Sequence, residues 1–193
     1  MLRSQWEHFR GFLHHAITTF AQVGITMQTS YIVCLGILGV LVVITVLPGV
    51  IAKASSPIPE LSEHVYKIKE AGELDALLSS CTYVVVDFYA DWCPPCRAIA
   101  PVFSKLADTH ARGGRVAFAK VNVDHVQDVA KRYSISSMPT FLVFEKGAPR
   151  GVAVEGLQGR KHVGFTDDGR VFKICGADRQ ALEAVVRGLG AKD

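Results

Sequence analysis

The sequence lacks an excess of charge of either sign. Its 193 residues carry 21 Lys and Arg against 18 Asp and Glu, which leaves a formal net charge of +3. Proteins that grip the phosphates of nucleic acids do so with a marked basic excess on the binding domain. The composition therefore excludes a general nucleic-acid role on electrostatic grounds.

Cysteine is too sparse for a scaffold held together by disulfides. There are five cysteines, and an odd number at irregular spacing in a chain this long does not form a disulfide framework. Cys34 lies in an apolar segment, and we interpret Cys81 and Cys175 as buried small apolar residues. Only Cys93 and Cys96 form a closely spaced pair.

The sequence also lacks the ligands that would complete a zinc site at this pair. A structural zinc ion takes four ligands, and no second C-x-x-C or H-x₃-H follows. A structural disulfide closing so small a loop would add little stability. A redox-active dithiol is the favoured interpretation, because C-x-x-C within a βαβ pattern is typical of one.

Charge is absent altogether from residues 31–52, "YIVCLGILGVLVVITVLPGVIA". At about 1.5 Å per residue this run would span roughly 33 Å, enough for a hydrocarbon core of about 30 Å. It has no polar face of the kind a globular core helix shows. We predict a single transmembrane helix or signal anchor, with a signal peptide cleaved near residues 52–54 as the alternative.

The segments that flank the apolar run carry weaker signals. Residues 1–30 have apolar residues at helical spacing, which fits a targeting helix, a membrane-surface helix or a poorly ordered tail. Residues 53–64 are rich in Ser and Pro and are predicted to be a linker. Lys53 follows the apolar run, whereas no Lys or Arg lies between Arg10 and its start, so the positive-inside rule favours a cytosolic C-terminal part. Mitochondrial and secretory locations stay open.

From residue 65 to the C-terminus the pattern alternates between strands and helices. The runs 83–89 and 116–123 are apolar and rich in β-branched residues, as in strands that are buried on both faces. Further strands are predicted at 65–68, 140–144 and 170–174, and helices at 71–79, 96–111, 126–133 and 179–189. The order predicts an α/β domain with a mixed central sheet covered by helices on both faces.

The cysteine pair falls where the strand 83–89 turns into a helix. Free N–H groups and the helix dipole at such a terminus favour an anion, so we expect the Cys93 thiol to ionise below its usual pKa of about 8.5. Cys96 lies in the first turn on the same side, at a spacing that permits a disulfide. One cysteine is then an attacking thiolate and the other a resolving thiol. Pro95 costs no hydrogen bond in a first turn.

An acid interrupts the apolar strand that leads to the cysteines. Asp87 lies among valines and Phe88, and burial among them should raise its pKa. A carboxylate that titrates nearer neutrality can take the proton from Cys96 during attack on a mixed disulfide. The alternative is an exposed residue at a strand end.

Three separated stretches resemble the thioredoxin family. "VVVDFYADWCPPCRAIAPVFSKLA" is similar to its active-site strand and helix, "AKVNVD" to its third strand and "YSISSMPTF" to its cis-proline loop. The resemblance implies a thioredoxin fold and a protein-disulfide reductase that acts on disulfide-containing client proteins. It also implies no bound cofactor or metal, with electrons drawn from NADPH through a thioredoxin reductase.

The resemblance further implies a role for each matching residue. Cys93 is the nucleophile, Cys96 the resolving thiol and Asp87 the buried carboxylate. Lys120 is the partner of Asp87 across the sheet, and Pro139 is the cis-proline that faces the disulfide. The residues implied to line the client-docking patch are Trp92, Pro94, Pro95, Met138, Pro139, Gly176 and Ala177.

Two features depart from the family pattern. Pro94 stands where thioredoxins mostly carry Gly, which removes a donor, stiffens the turn and leaves the reduction potential open. An insertion of about 25 residues, at about 146–169, separates two strands that the family joins by a tight hairpin. "DDG" at 167–169 is a turn signal by which the insertion extends this hairpin. A tolerated surface loop, a partner-docking site and a lipid contact are the alternatives.

Two other functions remain open at the sequence level. One is a disulfide oxidase or isomerase in a secretory or intermembrane compartment. The other is a non-catalytic thioredoxin-like adaptor whose insertion recruits a partner. The intact set of Cys93, Cys96 and Asp87 favours an enzyme over an adaptor.

Overall fold

The computed structural model describes residues 35–42 and 56–190, and the chain divides into two compact units, Met1–Lys53 and Ala54–Asp193. In the first unit, residues 35–42 are helical and exposed. Among the described residues, no helix combines the length and the apolar character needed to cross a membrane. The predicted span at 31–52 reaches beyond 35–42 on both sides, and the rest of it lies outside the described residues, as does the predicted tail at 1–30.

Residues 56–190 of the second unit form six strands and four helices. The strands are β1 (Val65–Ile68), β2 (Tyr83–Tyr89), β3 (Val116–Asn122), β4 (Thr140–Glu145), β5 (Val163–Phe165) and β6 (Val171–Cys175). The helices are α1 (Ala71–Ser80), α2 (Pro94–His110), α3 (Gln127–Arg132) and α4 (Arg179–Gly190).

All six strands belong to one mixed sheet in the order β1-β3-β2-β4-β6-β5. Strands β1, β3 and β2 run parallel, whereas β4, β6 and β5 are each antiparallel to the strand before them in that order. The mixed sheet flanked by helices is therefore confirmed. Strands β2 and β3 each have a neighbouring strand on both sides, and every one of their residues is buried.

Successive side chains of each inner strand point to opposite faces of the sheet. Since these side chains are mostly apolar, both faces have to be covered, and helices cover them. Tyr83 and Val85 of β2 pack in a core with the α2 and α4 side chains, which include Phe103 and Leu182. Val84 packs in a second core with residues of α1 and α3. Asp87 is two residues after Val85 on the same strand, so its side chain points to the same face as those of Tyr83 and Val85, the face that α2 covers.

The insertion adds an edge to the sheet and contributes to the core. β5 pairs with β6 across the predicted 167–169 turn, so the hairpin is extended. Val152, Leu157 and Val163 are buried in the core that contains α4. The insertion is therefore more than a surface loop, because its apolar residues are covered on folding.

The end of the insertion is fixed to the start of α4 by Asp178. One carboxylate oxygen accepts hydrogen bonds from Arg160 and His162, both at 2.6 Å, and the other accepts from the Ala181 amide at 3.0 Å. Partial burial acts to raise the pKa of Asp178, but these hydrogen bonds and the Arg160 charge outweigh it and bring the pKa to about 2. The insertion is thus anchored next to Gly176 and Ala177.

Cys81 and Cys175 differ from their sequence interpretation. Both are free thiols and both are only partly buried. Cys81 caps the C-terminus of α1, and Cys175 ends β6 beside the cis-proline loop. Their positions at the ends of elements leave one side of each thiol uncovered.

Candidate active site

The cysteine pair lies where the chain leaves β2 and enters α2. Cys93 is the N-cap residue of α2 and forms a disulfide with Cys96, with their Cα atoms 5.3 Å apart. The Cys96 amide donates a hydrogen bond to the Cys93 sulfur at 3.3 Å. Pro94 and Pro95 occupy the first two helical positions, where a missing N–H breaks no helical bond. The amide of Cys96 is therefore the first donor of the helix, and it points at the Cys93 sulfur.

Apolar side chains enclose the two sulfurs. Cys93 and Cys96 are 3% and 1% exposed, and they share a cluster with Tyr89, Ala90 and Ile58. On the solvent side, Pro94 and Pro95 are exposed. An anionic sulfur at Cys93 would be stabilised by the Cys96 amide and the N-terminal end of the helix dipole, because neither depends on water.

Asp87 is a buried acid with an unsatisfied oxygen. The residue is 4% exposed, and its Oδ1 atom has no hydrogen-bond partner. Burial raises the pKa of Asp87 to about 7, although the positive charge of Lys120 works in the opposite direction. A carboxyl group with this pKa exchanges its proton readily at neutral pH, as a general acid or base must.

Lys120 is the neighbour of Asp87 in the sheet, but its ion pair is with another residue. Asp87 and Lys120 are register partners on β2 and β3. The Lys120 ammonium group forms its ion pair with Glu60, and it lies 5.6 Å from the centre of the Tyr89 ring. Lys120 therefore acts on Asp87 through its charge, without a hydrogen bond between them.

The residues implied to form a docking patch come from three separate loops. Trp92 is 54% exposed, and its indole N–H donates to Asp124 at 2.9 Å. The Met138–Pro139 peptide is cis, and Met138 packs against the cluster that holds the cysteines. The Gly176 amide donates to the Pro139 carbonyl at 2.7 Å, and Ala177 beside it is exposed.

Sequence reasoning missed a hydrogen-bond network at the base of the site. Asp91 accepts from the Ile58 amide and from the Asn122 side chain, both at 2.9 Å. The Arg97 guanidinium donates to the Asp91 carbonyl at 2.8 Å and to the Ser56 carbonyl at 2.5 Å. Asn122 could have been predicted as a site residue from the sequence, since it is a polar residue at the end of a strand predicted to be buried. Ile58 and Ser56 could not have been predicted in this way, because their segment has the composition of a linker.

Residues 56–64, predicted as part of that linker, pack on the domain. Ile58 is 7% exposed in the cluster around the cysteines. Further along, Ser62 donates to Asp108 on α2 at 2.5 Å, and His64 lies 3.0 Å from the same oxygen. This segment forms one wall of a small pocket whose other wall includes Asp87, Lys120 and residues of α2.

The arrangement matches a known family over most of the second unit. A sequence profile described as Thioredoxin matches residues 65–164, just over half of the chain. The chain belongs to the thioredoxin family. The profile match begins directly after residues 56–64, the segment that packs beside the cysteines.

Individual thioredoxins agree with this assignment. A thioredoxin-like protein of Fusarium culmorum is 59% identical over 126 residues, which are 65% of this chain and 91% of that protein. The thioredoxin of Neurospora crassa is 51% identical over 130 residues, 67% of this chain and 90% of its own. The crystal structure of Malassezia sympodialis thioredoxin is 31% identical, covers 66% of this chain and 91% of its own, and superposes with a TM-score of 0.50.

Family membership and the Cys93–Cys96 disulfide indicate a thiol–disulfide oxidoreductase in general terms. Thioredoxins carry out this chemistry with their own cysteines and need no bound cofactor. Across residues 35–42 and 56–190, no group of three or more His, Cys, Asp or Glu side chains is arranged to hold a metal ion.

Proposed function

We propose that this chain reduces disulfide bonds in client proteins. In the first step the Cys93 thiolate attacks one sulfur of a client disulfide. A Cys93–client disulfide forms, the client's own disulfide breaks, and the released client sulfur takes a proton from solvent. Attack in line with the client disulfide requires access to the Cys93 sulfur, and Trp92 and Pro94, the chain neighbours of Cys93, are both exposed.

In the second step Cys96 resolves the mixed disulfide. Its thiol gives a proton to Asp87, and the resulting thiolate attacks the Cys93 sulfur. The Cys93–Cys96 disulfide forms while the bond from Cys93 to the client breaks, and the second client sulfur leaves as a thiolate that takes a proton from solvent. Two electrons have passed from the dithiol to the client, and a thioredoxin reductase that uses NADPH would return the site to its reduced form.

One observation carries this proposal. A buried acid with a pKa raised to about 7 lies in the strand that delivers a C-x-x-C pair to a helix N-terminus. A structural disulfide needs no proton acceptor beside it. A redox pair does, because its resolving thiol must lose a proton within a site from which water is largely excluded.

Insulin provides a direct test of the enzyme activity. The purified full-length chain, with dithiothreitol as electron source, should accelerate reduction of insulin disulfides. Cys93→Ser should abolish the acceleration, and Cys96→Ser should leave the protein joined to its client as a stable mixed disulfide. If the wild-type chain gives no acceleration, the adaptor function replaces the enzyme.

The direction of electron flow is tested by the reduction potential of the pair. A reductase has a reduction potential near that of thioredoxin, about −270 mV. The reduction potential of an isomerase is about −180 mV, and that of an oxidase is about −120 mV. Equilibration of the full-length chain with glutathione or dithiothreitol buffers, followed by thiol labelling, gives the value. A potential in the higher range would assign the chain to disulfide formation or isomerisation.

We further propose that residues 31–52 attach the chain to a membrane as a single span, with the thioredoxin domain on the cytosolic side. The uncharged run of 22 residues supports a membrane span. The position of Lys53 after that run supports the cytosolic side for the thioredoxin domain. Retention of the chain in the pellet after carbonate extraction is expected. Digestion of the thioredoxin domain by protease added to intact organelles would support the cytosolic side, and protection would assign it to a lumen or intermembrane space.

A further inference from the structure

Three charged residues lie side by side in one row across the sheet. Lys67 on β1 is the register partner of Lys120 on β3, and Lys120 is the register partner of Asp87 on β2. Neighbouring strands lie about 4.8 Å apart, so the two lysines are close like charges and Lys120 is also within reach of Asp87. Repulsion from Lys67 and attraction to Asp87 both favour movement of the Lys120 ammonium group toward the buried carboxylate.

Glu60 opposes that movement. One of its carboxylate oxygens pairs with Lys67 at 3.1 Å, and the other pairs with Lys120. The Lys120 side chain is 10% exposed and that of Glu60 is 51% exposed, so the ion pair lies at the mouth of the pocket that contains Asp87. The Oδ1 atom of Asp87 meanwhile has no hydrogen-bond partner.

Glu60 itself is held in place by its own segment. Two residues before it, Ile58 is buried beside the cysteines and its amide donates to Asp91. Two residues after it, Ser62 donates to Asp108 on α2. The carboxylate is thus fixed on both sides by contacts to the domain, which makes its position a property of the fold.

We propose that Glu60 is a positioning residue of the redox site, which holds the Lys120 ammonium group at the mouth of the pocket and prevents an ion pair between Lys120 and Asp87. This inference rests on the proposed role of Asp87 as the proton acceptor for Cys96. A direct Lys120–Asp87 pair would stabilise the charged carboxylate and weaken its affinity for a proton. Glu60 thereby keeps Asp87 able to bind a proton near neutral pH.

The other groups that face Asp87 do not provide this control. Tyr89 on the same strand is neutral over the relevant range, because burial raises its pKa to about 12. Cys93 and Cys96 on α2 do not titrate while they form the disulfide. On β4, the register partner of Asp87 is the uncharged Phe141. Among the residues that the structure describes, Lys120 is the charged register partner of Asp87, and it is itself paired with Glu60.

The test is a carbon-13 NMR titration of the Asp87 carboxyl group in the oxidised full-length chain. Oxidised protein does not turn over, so the result is independent of whether the chain reduces any client. In Glu60→Gln, and equally in Glu60→Ala, the midpoint should fall by at least about half a pH unit, a threefold loss of proton affinity. Retained amide shifts elsewhere confirm that each variant is folded.

Two matched variants make the outcome specific. Glu63→Gln removes an exposed acid from the same segment and should leave the Asp87 midpoint unchanged. In a Lys120→Gln background, Glu60→Gln should have no further effect, because Glu60 acts through Lys120. An unchanged or raised midpoint in Glu60→Gln, an equal fall in Glu63→Gln, or an equal fall without Lys120 would each overturn the proposal. Failure of the insulin assay with a positive titration would overturn the proposed function alone.

Discussion

At the scale of single residues, the site depends on a conflict between Asp87 and its surroundings. The carboxyl group is buried among apolar side chains, and burial penalises its charged form. The chain tolerates this penalty at a position where Val or Leu would pack without it. A buried acid whose burial penalty is only partly offset by a neighbouring charge is typical of a functional group.

Asp87→Asn should stabilise the folded protein at alkaline pH. Between the ordinary Asp pKa of about 3.9 and the folded value of about 7, the native state holds a proton that the unfolded state has lost. Stability therefore falls as the pH rises through this window, and the full penalty applies above it. We expect urea unfolding of Asp87→Asn to show a gain of roughly 2 to 4 kcal/mol at pH 8, shrinking to about 1 kcal/mol or less at pH 4.5.

The control for this substitution is Asp167→Asn, at an exposed turn position. It should leave the free energy of unfolding unchanged at both pH values, because an exposed carboxylate is equally solvated in the folded and unfolded states. A stability gain for Asp87→Asn that is the same at pH 4.5 and pH 8 would contradict the assignment of a raised pKa.

At the scale of elements, two segments with little regular pattern, residues 56–64 before β1 and the insertion before β6, pack on the domain. Each inserts apolar residues under the surface, Ile58 in one case and Val152 and Leu157 in the other. Each also makes polar contacts to a helix, α2 or α4. Both segments are therefore part of the folded domain.

Ile58→Ala should destabilise the domain by about 2 to 3 kcal/mol, because it removes a buried side chain from the cluster around the cysteines. Leu61→Ala is the matched control three residues along, where the side chain is 48% exposed and the expected loss is under about 1 kcal/mol. Urea unfolding of the full-length chain measures both. Equal losses in the two variants would show that the segment is not packed as described.

Gly151→Ala should disrupt the start of the insertion. Gly151 has a φ of +66°, and a Cβ atom there would overlap the backbone carbonyl of Val171, which pairs with Val152. Gly156 also has a positive φ, +78°, but open space around it, so Gly156→Ala isolates the conformational penalty of about 1 kcal/mol. We expect Gly151→Ala to lose at least about 3 kcal/mol in the same assay, since rigid backbone must move. Similar losses at both positions would contradict the close approach to β6.

At the scale of the whole molecule, the local sequence pattern predicts the helices and strands, but it does not predict the contacts between residues that are far apart in the chain. The buried strands β2 and β3 follow from continuous β-branched runs, and α2 follows from apolar periodicity after Cys96. Asp87, the proposed proton acceptor, could be predicted from the sequence because an acid within such an apolar run is conspicuous. These signals are all contained in stretches of fewer than 20 residues.

The ion pair between Glu60 and Lys120 could not be found in this way. The two residues are 60 positions apart, and Glu60 lies in a Ser- and Pro-rich segment whose composition indicates an extended chain without indicating what it contacts. The hydrogen bond from Trp92 to Asp124 also joins two loops that lie close together because β2 and β3, the strands before them, pair in parallel. Part of the site thus depends on tertiary packing, which sequence pattern alone does not specify.

We propose that Cys93 is the activated nucleophile because α2 begins at its sulfur. Alkylation of the reduced full-length chain with iodoacetamide between pH 5 and pH 10, followed by mass analysis of the modified cysteine, tests it most directly. We predict that Cys93 reacts before Cys96, with an apparent pKa below the usual thiol value of about 8.5. Reaction at Cys96 first, or no reaction at either active-site cysteine until well above about pH 9, would contradict the account.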